Sequence, residues 1–264
     1  MSEEKHFVTA LARGLQILGC FSRERPALAM ADIVKMTGLS QPTVWRLCFT
    51  LRQTGHLEQG SEGGFVRLGP ASLLLGVAAT SESVFTESLR GKLLALAQKY
   101  RASAGLALRD GTAMVIVERQ VSQSQLVLNA RVGARLPMME SAYGRAFIAA
   151  MPMASRTELI EQLASAGAPK AQLESVAAEL SRNYARDGCL ISIGDVHPEV
   201  NSVTVVIPAD NGEPLFSLNL GAVSSDLPDE AIRTSAVEEV LALGQWITEA
   251  RPLATARLMP DRIR

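Results

Sequence analysis

The chain has 264 residues, enough for one large domain or two of ordinary size. Hydrophobic residues make up 47% and charged residues 20%, which excludes a disordered or low-complexity protein. The net charge of −1, from 26 basic and 27 acidic residues, excludes a uniformly basic coat for nucleic acid but not a local basic surface. The first element is a helix whose apolar stripe is Val8, Leu11, Leu15, Leu18 and Phe21, at three- and four-residue steps. A short second helix covers Met30 to Thr37, with Ile33, Val34 and Met36 apolar, and ends at Gly38. Ser40 is placed to cap a third helix, with Pro42 in its first turn, Val44, Leu47 and Leu51 facing inward, and Gly55 closing it. Residues 56–59 and 65–68 flank a glycine-rich turn and read as a β-hairpin.

Residues 70–101 read as helical, first over 72–79 and then over 89–100. Strands are expected at Gly105–Arg109, Met114–Arg119, Leu126–Asn129, Leu190–Ile193, Val203–Ile207 and Leu215–Leu220. Asp110-Gly111 and Asn211-Gly212 are hairpin turns. Further helices are expected over 144–151, 155–165, 171–186 and 229–250. This mixture predicts an α+β domain, an antiparallel sheet with helices packed on it. The expected division is residues 1–80 against 81–264. Residues 1–80 carry 8 basic and 6 acidic residues, net +2, and the remaining 18 and 21 give −3. That is the sign of a DNA-binding head on an acidic body.

Helix, short helix, turn, helix and hairpin make a winged helix-turn-helix. Its third helix turns Gln41, Thr43, Arg46 and Thr50 away from the inward residues, and these types read base edges or grip phosphates. From Ser40 to Gly55, sixteen residues hold two arginines, Arg46 and Arg52, and no acid, as suits a polyanion partner. Phe49 is expected in helix packing, and Trp45 either packs or lies along DNA. Ser40, Gln41, Thr43, Trp45, Arg46, Thr50, Arg52 and the hairpin's Arg67 are the candidate DNA-binding residues.

Cys20, Cys48 and Cys189 form no CxxC pair, and His6, His56 and His197 do not cluster, so no metal site is expected. No cofactor is expected either. Dispersed cysteines suit a reduced cytoplasm. The opening MSEEKHFVTALARG is a poor signal peptide, and no apolar run approaches the ~18–20 residues that span a bilayer. No nucleophile is paired with a base and an orienting group, so no catalytic residue is assigned. A buried, inert thiol is the expectation for Cys189.

The segments RGLQILGCFS, LAMADIVKMTGLSQPTVWRLCFTLRQTGHLEQ and FVRLGP resemble the N-terminal domain of the IclR family of bacterial transcription regulators. LRDGTAMVIVERQ, VGARLPMMESAYGRAFIAAMP and DNGEPLFSLNLGAV are similar to that family's effector-binding domain. The resemblance implies a linker helix, a GAF-like C-terminal domain that binds a small organic or aromatic acid, and dimers or tetramers on palindromic operator DNA. It places Ala142, Tyr143 and Gly144, at a helix start, in the effector pocket with Asn219 and Gly221 of a facing strand. Asp195 and His197 are the polar candidates on the pocket floor. The sequence departs from the family at Ala29, which lacks a capping oxygen and should weaken the second helix by ~1 kcal/mol. It departs also at Phe65 in the wing, at Arg145 in place of lysine, and across 186–207. Arg131 and Arg135 flank Gly133 in a loop and read as structural or interface residues rather than as a carboxylate clamp. The alternative function is a GAF-like small-molecule enzyme, or an interaction module that does not bind DNA.

Overall fold

The computed structural model of the protein describes residues 7–22, 25–60, 63–80, 83–122 and 131–250. They divide into two compact units, Met1–Glu82 and Ser83–Arg264, each taken by itself below.

The first unit runs α1 (Thr9–Leu18), β1 (Ala27–Ala29), α2 (Met30–Thr37), α3 (Gln41–Gln53), β2 (Leu57–Gln59), β3 (Phe65–Leu68) and α4 (Pro70–Thr80). The three strands pair antiparallel in the order β1-β3-β2, so the expected hairpin gains a third strand that the sequence had not revealed. Ile17, Leu28, Ile33, Val44, Cys48, Leu57 and Val66 form the core. Full burial of such side chains contributes roughly 1.5–3 kcal/mol each. Gly38, at φ +68°, ends α2 in the left-handed region and donates its N–H to the Val34 carbonyl. A side chain there would be strained.

Four local expectations are corrected. Val8, Leu11 and Leu15 face solvent rather than the core, and α1 buries Gly14 and Ile17 instead. On α3 Val44, Leu47 and Leu51 do face inward, the two leucines half-buried against the core, but the fully buried partner of Val44 is Cys48, which the sequence had not singled out. Phe49 is exposed and stacks on exposed Trp45, ring centroids 5.8 Å apart. Ser40 does not cap α3, because its hydroxyl bonds the Thr43 hydroxyl at 2.8 Å. At Ala29 the missing oxygen is offset from the other side: the Asp32 carboxylate accepts the Ala29 N–H at 3.3 Å.

The second unit runs α5 (Ser83–Lys99), β4 (Ser103–Asp110), β5 (Ala113–Val121), β6 (Arg135–Pro137), α6 (Ala142–Ala150), α7 (Met153–Ser165), α8 (Lys170–Asp187), β7 (Leu190–Ile193), β8 (Val200–Pro208) and β9 (Pro214–Val223). It closes with α9 (Asp229–Ala231), a π-helical turn (Ile232–Ala236) and α10 (Val237–Ala250). The six strands form one antiparallel sheet in the order β6-β5-β4-β9-β8-β7. The expected strand Leu126–Asn129 lies outside the described residues.

Alternation along each strand sends side chains to opposite faces. One face is apolar: Ala104, Leu106, Val203, Val205, Leu218 and Leu220 pack on Leu93 and Leu96 of α5 and Val240 and Ile247 of α10. The other face lies under α6, whose Ala146 and Ala149 cluster with Leu190 of β7 and Leu180 of α8. Among the described residues no helix is long and apolar enough to cross a membrane.

Candidate functional site

On α3 the exposed residues are Gln41, Pro42, Trp45, Arg46, Phe49, Thr50, Arg52 and Gln53, and Thr43 is half-buried. The helix therefore shows solvent two guanidiniums, two amides, a hydroxyl and an aromatic pair, with no carboxylate along its length. Arg67 of β3 is also exposed, but its Nε is held by Glu58 at 2.7 Å. Phe65, half-buried, pairs with Ala29 across the sheet. The surface is therefore a short helix with a cationic, hydrogen-bonding face, of a size that the DNA major groove admits. A groove of about 780 Å³ runs between α1 and α3, lined by Leu11, Leu15, Trp45, Phe49, Thr50 and Leu75 among others.

In the second unit the strand registers assemble a polar strip on the α6 face. One row runs Ser103, Gly221, Ser202 and Ser192 across β4, β9, β8 and β7. The next runs Arg119, Gly105, Asn219, Thr204 and Leu190 across β5, β4, β9, β8 and β7. Ser103, Ser192, Ser202, Thr204 and Asn219 are all buried. Polar groups are buried at a cost unless they are bonded, and several are: Asn219 Nδ2 donates to the Thr204 hydroxyl at 2.7 Å, and Arg119 Nε donates to the Ser103 hydroxyl at 2.7 Å. The Ser217 hydroxyl donates to the Tyr143 carbonyl at 2.9 Å, fixing the start of α6 to the strip.

Tyr143 covers Gly105: a Cβ built on Gly105 would stand 2.9 Å from the Tyr143 hydroxyl oxygen, so only glycine leaves that hydroxyl its place. Burial pushes the Tyr143 phenol up to about 12, partly countered by the Arg119 guanidinium. The hydroxyl is thus a neutral donor at ordinary pH. Gly144 is set by packing, since a Cβ there would meet the Met138 carbonyl oxygen at 2.1 Å. Its N–H is already taken by the Ser141 hydroxyl at 3.1 Å. Ala142 is half-buried beside it. Gly221 lies in the strip, close to Ser202 and Asn219.

The structure brings Tyr143, Asn219 and Gly221, all three named from the sequence, together on one side of the sheet. The sequence also named Asp195 and His197, which the structure places as exposed residues on the turn between β7 and β8. That turn carries them outward: the Asp195 carboxylate accepts the Ile193 N–H at 3.2 Å, and the Val200 N–H is bonded to the His197 carbonyl. The Asp195 main-chain carbonyl accepts from Arg145 Nη1 of α6 at 3.2 Å. Ser103, Arg119, Ser192, Ser202 and Thr204 went unread, although Ser202 and Thr204 in β8, and Ser217 and Asn219 in β9, are polar residues at period two in otherwise apolar strands. Arg135 is bound to Asp110, and Arg131 is exposed. Cys189 is buried, which pushes its thiol up to about 11. Among the described residues no cluster of three metal-ligating side chains occurs.

One chain that carries both a winged helix and an α+β unit with a buried polar strip is built as a DNA-binding transcription regulator with a sensor domain. The model of the IclR helix-turn-helix domain matches residues 10–61, and that of the bacterial transcriptional regulator IclR C-terminal domain matches residues 77–249. The chain belongs to the IclR family of bacterial transcriptional regulators. It is 28% identical over 231 residues to the HTH-type transcriptional regulator TsaQ1/TsaQ2 of Comamonas testosteroni, covering 86% of this chain and 82% of that one. The crystal structure of an IclR family transcriptional regulator from Brucella abortus superposes with a TM-score of 0.80 at 31% identity, covering 96% and 95% of the two chains. The fold is shared by an IclR homolog from Microbacterium hydrocarbonoxydans, solved in complex with 4-hydroxybenzoate, with a TM-score of 0.65 at 23% identity over 92% and 100%.

Proposed function

We propose that this regulator is switched by a small organic or aromatic acid held in the cup between α6 and the polar strip, and that it acts by binding rather than by catalysis. The observation that carries this reading is the strip itself: a row of buried hydroxyls and a buried amide, with the half-buried Arg119 guanidinium at one end, beneath a neutral tyrosine hydroxyl. Such convergent donors in an otherwise apolar surround suit a carboxylate and the ring or chain attached to it. The 4-hydroxybenzoate complex of a relative supports the ligand class. Tyr143, Asn219 and Gly221 line the cup, with Ala142 and Gly144 shaping its wall and Asp195 at its rim. His197 stands outside it. The buried thiol of Cys189, pushed up to about 11, supplies no nucleophile near neutral pH, which supports a non-enzymatic role.

On DNA, α3 enters the major groove. Gln41, Thr43, Arg46 and Thr50 meet base edges, Trp45 lies along the sugar face, and Ser40, Arg52 and Arg67 meet phosphate. The operator is palindromic and the chain binds it as a homodimer or homotetramer. Exposed Leu11, Leu15, Leu73, Leu74 and Leu75 support assembly, because isolated proteins rarely leave so much apolar surface in water. The domain boundary near residue 80 is that of head and body. The test is thermal unfolding against a panel of organic and aromatic acids. A binder at 100 times its Kd stabilises the fold by about 2.7 kcal/mol, and Ala142→Leu, which fills the cup, abolishes the shift. A full shift in Ala142→Leu moves the site elsewhere.

A further inference from the structure

Two polar atoms at one end of the cup, Arg145 Nε and the Ser192 hydroxyl, are buried and have no hydrogen-bond partner among the described residues. Ser192 is only 5% exposed. Its direction follows from β7, where Leu190, two residues earlier on the same face, packs against Ala146 and Ala149 of α6. Ser192 therefore faces the N-terminal part of α6, where Arg145 stands. Arg145 spends Nη1 on the Asp195 carbonyl, which holds the guanidinium over the β7–β8 turn. Its buried Nε then belongs to the other edge of the guanidinium, the edge that takes a carboxylate through two parallel bonds. The Asp195 carboxylate is engaged with the Ile193 N–H, and Arg145 makes no ion pair among the described residues.

We infer that Arg145 and Ser192 form a second anion subsite, and that the effector is a dicarboxylic acid. This rests on the acid-binding reading of the cup. One carboxylate lies toward Tyr143, Arg119 and Ser103. The other accepts from Arg145 Nε and from the Ser192 hydroxyl. Ser103 on β4 and Ser192 on β7 are three strand spacings apart in one row, roughly 14 Å, which a small diacid bridges with the reach of the side chains at each end. A monoacid leaves the buried Arg145 donor without an acceptor, and that is the physical source of the selectivity.

The experiment is titration calorimetry of the full chain with terephthalate and adipate, set against benzoate and hexanoate as the matched monoacids. At least one diacid is expected to bind ~10-fold or more tightly than its monoacid. Arg145→Met should bring that diacid down to the level of the monoacid, Arg145→Lys should recover part of the loss, and Ser192→Ala should give a smaller loss. Melting curves without acid show which variants fold, and Ser192→Ala carries the test if Arg145→Met does not. A monoacid that binds as tightly as its diacid, or a diacid unaffected by both substitutions, overturns the subsite while leaving the acid-binding cup intact. Failure of every acid to bind overturns both.

Discussion

The head and the body hold their candidate residues in opposite ways. On α3, Gln41, Trp45, Arg46, Thr50 and Arg52 are exposed, whereas in the cup Tyr143, Ser192, Ser202 and Asn219 are buried. A polymer such as DNA comes to a convex surface, so the head needs one helix with the right outward face. A small acid has to be surrounded, so the body needs several strands in register beneath a helix start. The difference also separates binding from folding. Exposed residues on α3 contribute little to stability, while every residue of the cup is also a packing residue. Substitutions in the head should therefore change affinity alone, and those in the cup should change stability as well.

The largest effect is expected at Gly144. Gly144→Ala drives a Cβ into the Met138 carbonyl and should destabilise the body by ~3 kcal/mol or more, read from its denaturant midpoint. Retained stability would mean that α6 is free to shift, and the cup would lose its fixed wall.

Next comes a pH effect at Tyr143. Its folded value, about 12, lies above the ordinary 10.0, so the stability linked to its neutral form is complete below about pH 10 and is lost as pH rises through about 12. The loss amounts to about 3 kcal/mol at full ionisation, and it should be absent from Tyr143→Phe. Unfolding curves of the two proteins from about pH 9 to about pH 12 should diverge; parallel curves would place the phenol in water.

In the head, Arg46→Ala should cost about 1–3 kcal/mol of operator affinity with no loss of thermal stability. Binding to operator and to scrambled DNA, measured over a range of salt, separates a base contact from a phosphate contact. Equal affinity of variant and wild type on both DNAs would remove Arg46 from the interface. The smallest effect is expected at Arg67, whose pair with Glu58 is exposed: Arg67→Ala should change stability by less than about 1 kcal/mol.

How much of each region the sequence discloses follows from the same contrast. The outward face of α3 is a local property, and Pro42, Val44 and Gly55 suffice to set the helix and its phase. Even there, periodicity identifies an apolar stripe without saying that it is buried. Leu11 and Leu15 of α1, and Trp45 and Phe49 of α3, are as apolar as core residues, yet they line an open groove. The cup is a non-local property. Asn219 and Tyr143 were named through the family resemblance, which rests on contiguous segments, AYGRA at a helix start and FSLNLGAV in one strand, that a single stretch of chain displays. Ser103 and Ser192 were not, because their place in one row depends on β4 pairing with β9, far along the chain, a partnership that no local spacing encodes. Asp195 and His197 misled because the β7–β8 turn, kinked at Gly194 with φ +72°, takes them away from the face on which Ser192 lies.

The most direct test of an acid-switched DNA regulator measures both affinities on one protein: operator binding with and without the acid, and acid binding with and without operator. Coupled sites change each other by the same factor, typically ~5–150-fold. Equal factors in that range, with the acid recovered unchanged, are the expected result. An operator affinity that does not move at saturating acid, or an acid that is consumed, would contradict the regulatory reading.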